Sequence, residues 1–127
     1  MNKLLHILIV DDNIFFRAAL AGVLEHLGHT IHCAGNSESV YQILAEYPID
    51  CILLDWNLAG ENGIALAHRI RTTFSGIIVI LSGHQQPDGL DRIIDLYLLK
   101  PVNPVALHTT LLQLASGQPD KPENGSS

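Results

Sequence analysis

Four strand-length apolar runs in this 127-residue chain each stop at a polar residue suited to phosphate chemistry: HILIV meets Asp11 and Asp12, CILL meets Asp55, IIVIL meets Ser82 and LYLL meets Lys100. Near-continuous apolar runs of that length fit strands covered on both faces, the condition of a parallel sheet with helical crossovers. In such a sheet the carboxyl ends of the strands share one edge, and ligands bind there at the point of strand-order reversal. The pattern therefore predicts three carboxylates, a hydroxyl and an ammonium gathered on one rim.

Between the runs the period changes from strand-like to helical. A helix is expected from about Asn13 to Leu27, with Phe16, Leu20, Val23, Leu24 and Leu27 on one stripe and Gly28 ending it. The more polar stretch His29 to Ala34 suits an edge strand. Asn36 or Ser37 caps a second helix carrying Val40, Ile43, Leu44 and Tyr47, which Pro48 stops. Asp50 to Asp55 reads as the third strand and, after a Gly-containing loop, Ile64, Leu66, Ala67 and Ile70 mark a third helix. Gly76 opens a fourth strand that reaches Ser82. Pro87 to Ile94 has room for only a short fourth helix, Asp95 to Leu99 is the fifth strand, and Leu107, Leu111 and Leu114 space out a last helix. Five strands interleaved with five helices define a doubly wound α/β domain with right-handed crossovers. Residues 1–116 are expected to form it, and 117–127, rich in Pro, Gly, Ser and charge, to be a flexible tail or linker.

Composition narrows the function. Hydrophobic residues make up 47% of the chain and charged residues 16%, as in a packed globular domain, and the net charge of −6 opposes direct binding to nucleic acid. Asp11 and Asp12 interrupt the N-terminal apolar run before any small-residue cleavage site. Leu4 to Val10 also falls far short of the ~20 residues a membrane span needs. The expectation is a soluble, cytoplasmic protein without a membrane partner, with Cys33 and Cys51 as reduced core residues.

Three carboxylates on one rim repel one another, by about 4 kcal/mol for a pair at 4 Å and an effective dielectric of ~20. A positive partner is needed. A hard cation with oxygen ligands, Mg²⁺ above all, fits one or two carboxylates plus waters and a phosphate oxygen, and Lys100 adds a second positive charge.

These residues resemble the receiver domain of two-component response regulators. VDDNIFFR at 10–17 is similar to that family's acidic pair and helix-one arginine, and LLDWNLAGENG at 53–63 to its phosphoacceptor loop with a closing glycine. LSG at 81–83 is similar to its switch hydroxyl and small residue, and YLLKP at 97–101 to its switch aromatic, lysine and proline. Each piece alone is weak, but four in order after four strands are specific. The resemblance, which spans about Leu4 to Leu114, implies a flavodoxin-like sheet of order 2-1-3-4-5 with helices on both faces.

It further implies that Asp55 accepts a phosphoryl group from a histidine kinase or histidine phosphotransfer protein. Asp12 would bind Mg²⁺ directly, Asp11 through water, Asp55 with a carboxylate oxygen and Asn57 with its main-chain carbonyl. Lys100 and Ser82 would contact phosphoryl oxygens, Tyr97 would turn inward as the switch, and Pro101 would follow a cis bond that aims Lys100. An attached effector domain or separate output protein, or a homodimer, would read the switch.

The chain also departs from the family. Lys100 follows Ser82 by about one helical turn less than in typical members, ~4 residues, so the fourth helix is expected to be short or irregular. Gly83 and His84 follow the switch hydroxyl in place of commoner residues, with His84 expected to tune the acyl phosphate's lifetime, and Ala59 replaces a usual proline. The evenly spaced His26, His29 and His32 fall on a helix end, a loop and a strand, which argues against a shared metal site. Two alternatives come with this fold: a binding module that works without phosphorylation, and a Mg²⁺-dependent hydrolase, for which Asn57 stands where a second catalytic aspartate is needed. A flavin site lacks its phosphate loop after the first strand.

Overall fold

The computed structural model describes residues 4–84 and 92–117. In chain order the elements are β1 (His6–Val10), α1 (Ile14–His26), β2 (Thr30–Ala34), α2 (Ser37–Glu46), β3 (Cys51–Asp55), β4 (Asn57–Leu58), β5 (Glu61–Asn62), α3 (Gly63–Arg71), β6 (Ile77–Ser82), β7 (Leu96–Leu99) and α4 (Pro104–Ala115). Five strands form one sheet of order β2-β1-β3-β6-β7, with every pair parallel. Counting only those strands, the order is the expected 2-1-3-4-5. The elements β4 and β5 are a separate antiparallel hairpin.

Burial explains the apolar runs. Every residue of β3 is buried, as are all but the first of β1 and of β6, so these strands have no solvent face to mark with polar residues. The interior splits into two clusters on opposite faces of the sheet. One joins Leu8, Val10, Ile52 and Leu54 to Val40 of α2 and to Leu66 and Ile70 of α3. The other joins Ile7, Ile9 and Leu53 to Leu20 and Leu24 of α1 and to Leu107 and Leu111 of α4. Alternate residues of one strand thus feed alternate cores.

Each of the four helices among the described residues begins on an asparagine. Asn13, Asn36, Asn62 and Asn103 all accept first-turn N–H groups with their side-chain carbonyls. Gly28, at φ 107°, closes α1 and returns the chain to β2, with Leu4 packed where a side chain would project.

The structure corrects several expectations. Tyr47 caps α2 instead of lying on its buried stripe; it is exposed and rests on His32 with ring centroids 4.4 Å apart. Cys33, on edge strand β2, is exposed and free instead of lying in the core, while Cys51 is buried and free. The loop after Asp55 is a hairpin. Four helices are present among the described residues; the expected short fourth helix falls mostly on 85–91, outside them, and residues 92–93 are in a turn. Residues 118–127 of the expected tail also lie outside them. No helix among the described residues is long and apolar enough to cross a membrane.

Candidate functional site

Asp11 and Asp12 follow β1, and Asp55 is the last residue of β3, its neighbour in the sheet. Adjacent parallel strands ending together bring the three side chains to one rim, where their carboxylate oxygens lie within 4.8 Å of one another. Asp11 is buried, Asp55 is 9% exposed and Asp12 is open to solvent. Lys100, just past β7, reaches across: its Nζ is 2.8 Å from Asp11 Oδ2 and 3.5 Å from Asp55 Oδ1.

The acidic residues are held from behind. Asp11 Oδ1 accepts the Asn13 N–H at 2.8 Å, and the Asp11 carbonyl accepts a hydrogen bond from Arg17 Nη1 at 2.8 Å. Burial, and then the neighbouring Asp11, push the Asp55 carboxyl above its ordinary value, while Lys100 and the Asn57 amide pull it back. Among the described residues the three carboxylates face one ammonium, that of Lys100, and one guanidinium, that of Arg17, which is spent on the Asp11 carbonyl. Hard oxygen donors with that deficit fit a small divalent cation.

Ser82 ends β6, pairs with Leu99 across the sheet and is buried. Its Oγ accepts the His84 N–H at 2.9 Å, and its carbonyl accepts the Lys100 N–H at 2.7 Å, which ties the hydroxyl to the lysine through the main chain. Tyr97 lies inside, 8% exposed, with its hydroxyl donating to the His84 carbonyl at 3.2 Å and its ring edge-on to Trp56 at 5.7 Å. The Lys100–Pro101 peptide is cis.

Asn57 has a different part. Its side chain accepts the Gly60 N–H and braces the hairpin turn, where Ala59 and Gly60 have φ of 51° and 87°. Beside it His84, Trp56, Gly60 and Asn62 line a polar cleft of about 220 Å³. Gly63 seals the loop from beneath, its N–H bonded to the Trp56 carbonyl.

Two features escape a sequence reading. Phe16, expected only as a core residue, lies under the Lys100 ammonium with the ring centroid 4.2 Å from Nζ. His29 is buried and bridges Leu5 to His108: its Nδ1 accepts the Leu5 N–H at 3.0 Å, and its Nε2 is 2.8 Å from His108 Nδ1.

The acidic cluster, the lysine and the hydroxyl meet at the carboxyl rim of a doubly wound sheet of order 2-1-3-4-5, the edge at which such α/β folds bind their ligands. The family model for the response regulator receiver domain matches residues 7–112, and the chain belongs to that family. It is 34% identical over 105 residues to the aerobic respiration control protein ArcA of Escherichia coli K12, covering 78% of this chain and 43% of that protein. Against the phosphate regulon transcriptional regulatory protein PhoB of Pseudomonas aeruginosa it is 35% identical over 105 residues, covering 77% and 46%. The chain thus spans less than half the length of these relatives. Among solved structures, a response regulator from Burkholderia pseudomallei with a phosphorylated aspartic acid, calcium ion and citrate aligns with a TM-score of 0.75 at 26% identity, covering 88% of this chain and 69% of that one.

Proposed function

We propose that this chain is a phosphoacceptor signalling domain in which Asp55 takes a phosphoryl group from a histidine kinase or histidine phosphotransfer protein. The observation that carries the reading is the Lys100 ammonium held between Asp11 and Asp55 with Asp12 at the same rim. In the transfer an Asp55 carboxylate oxygen forms a bond to phosphorus while the phosphorus–nitrogen bond of the donor breaks, and the imidazole leaves with the electron pair and takes up a proton. Asp11, Asp12, Asp55 and the Asn57 carbonyl would hold Mg²⁺, which offsets the charge of the phosphoryl oxygens. Lys100 neutralises one of those oxygens, and Ser82 exchanges its contact with the His84 amide for another.

The product carries nearly two added negative charges beside Ser82. Ser82 and Tyr97 both bond to His84, so a shift of the hydroxyl bears on the same residue that holds the tyrosine. That linkage would pass the signal to β7 and α4, and from there to an output protein or an attached effector. The domain acts once per phosphoryl group, in the cytoplasm, and is not a turnover enzyme.

Intact-mass measurement with acetyl phosphate and Mg²⁺ tests this: wild type gains one phosphoryl group and Asp55→Asn gains none. An unmodified wild type, with no Trp56 fluorescence response to beryllofluoride, would replace the proposal with a phosphorylation-independent binding module. Steady-state phosphate release far faster than the decay of phosphorylated Asp55 after donor removal would replace it with a hydrolase.

A further inference from the structure

Phe16 stands on the first turn of α1, half-buried, and packs against the cluster that holds Leu20 and Leu107. The Lys100 ammonium lies over its ring at 4.2 Å, so the charge is enclosed by Asp11 at 2.8 Å, Asp55 at 3.5 Å and one aromatic face. Two of these three neighbours change during the reaction. Asp55 becomes an acyl phosphate, and Asp11 has a cation to face. Only the ring presents the same surface throughout, and its quadrupole attracts a cation whatever the state of either carboxylate.

We propose that Phe16 is a positioning residue for Lys100, holding the ammonium at the acceptor while its carboxylate partners change. A phosphoryl oxygen then meets a charge already in place, without the cost of reorganising it. Leucine would keep an apolar side chain in the core but provide no such hold. The inference rests on the reading of Asp55 as the acceptor.

The test varies the ring's charge distribution at nearly constant shape, by placing 4-fluoro-, 3,5-difluoro- and 3,4,5-trifluorophenylalanine at position 16. Part of Phe16 lines an open groove between α1 and the start of α4, with Ala19, Val23 and Val102, which leaves room for fluorine. The initial rate of Asp55 phosphorylation by acetyl phosphate with Mg²⁺ should fall stepwise along the series, and by about three- to tenfold in Phe16→Leu, the span expected for a partly desolvated cation–ring contact. Phe16→Tyr should recover rate relative to Phe16→Leu. In the resting protein, without donor or metal, the Lys100 Cε protons should resonate upfield of ordinary lysine in NMR spectra and return downfield in Phe16→Leu.

A phosphorylated wild type with a flat fluorination series, or with Lys100 protons at their ordinary position, overturns the proposal alone. A wild type that keeps the upfield shift but accepts no phosphoryl group overturns the acceptor reading, and this one with it.

Discussion

Replacing Gly63 with alanine should damage the acceptor and the fold together. A Cβ on Gly63 would sit 2.2 Å from the Asp55 carbonyl oxygen, 2.9 Å from the Trp56 carbonyl oxygen and 3.0 Å from Trp56 Cα. Carbon–oxygen contacts settle near ~3.3 Å, so the first of these is about 1 Å too close. All three obstacles are main-chain atoms, which no rotamer change can remove. Overpacking of this kind costs about 1–3 kcal/mol, which for a chain of this length lowers Tm by about 3–10 °C. Because the clash falls on the acceptor itself, the Asp55 carboxylate should be displaced by a sizeable fraction of that 1 Å, and misplacement on that scale costs about 10²-fold in rate. Thermal denaturation and the rate of modification by acetyl phosphate should therefore both fall in Gly63→Ala. Gly22→Ala is the matched control: nothing lies within 4 Å of its added Cβ, and it sits inside α1, where alanine is favoured over glycine by up to about 1 kcal/mol. A Gly63→Ala protein with wild-type Tm and rate would refute the packing argument. One that loses stability but reacts normally would show that α3 gives way and β3 does not.

Two further outcomes follow from the histidines. His29 Nδ1 accepts the Leu5 N–H, so the ring's proton lies on Nε2, and burial, then His108, hold its pKa below 6.5. The unfolded chain takes up a proton near 6.5 that the native ring resists, so stability is full above that pH and falls as pH drops through it, by at most about 1.4 kcal/mol at pH 5.5, or about 5 °C in Tm. Wild type should lose more stability than His29→Gln between pH 7.5 and 5.5, within that bound, and parallel curves would rule the linkage out. At the other rim His84 lines the cleft beside Trp56 and Asn57, so His84→Ala should lengthen the life of phosphorylated Asp55 by about tenfold, the worth of one hydrogen bond to the attacking water. An unchanged decay rate, followed by intact mass after donor removal, would exclude His84 from that step.

The fold was readable where one physical cause dominated. Strands β1, β3 and β6 are buried on both faces, so their apolar runs were unbroken and their ends were marked by the first polar residue. The start of α2 was visible in its cap, Asn36. The strand order was another matter: it came with the resemblance, since alternating strands and helices are equally compatible with other doubly wound orders. The hairpin at β4 and β5 was hidden because its turn uses Ala59 at a positive φ, where the residue types that signal such a turn are glycine, asparagine and aspartate. Tyr47 misled because helical spacing continued past the point where the α2 backbone had already become extended.

At the site, Asp11, Asp12, Asp55, Ser82 and Lys100 could each be found as the residue that stops an apolar run, and the geometry brings them to one rim. Phe16 and the His29–His108 pair could not be found that way. A ring at a core-like helical position carries no sign that a distant lysine will lie on it, and His29 meets a partner 79 positions away that only the docking of α4 supplies.

The acceptor strand and the responding strand occupy opposite extremes of protection. Asp55 ends β3, which is flanked on both sides by other strands and covered above and below, whereas Tyr97 belongs to β7 at the margin of the sheet. Local opening starts at margins and reaches the centre last, so main-chain amides of β3 should exchange with solvent near the rate of global unfolding and those of β7 much sooner. A chain built this way keeps its chemistry on its least yielding element and leaves its reply to one that can open without unfolding the rest.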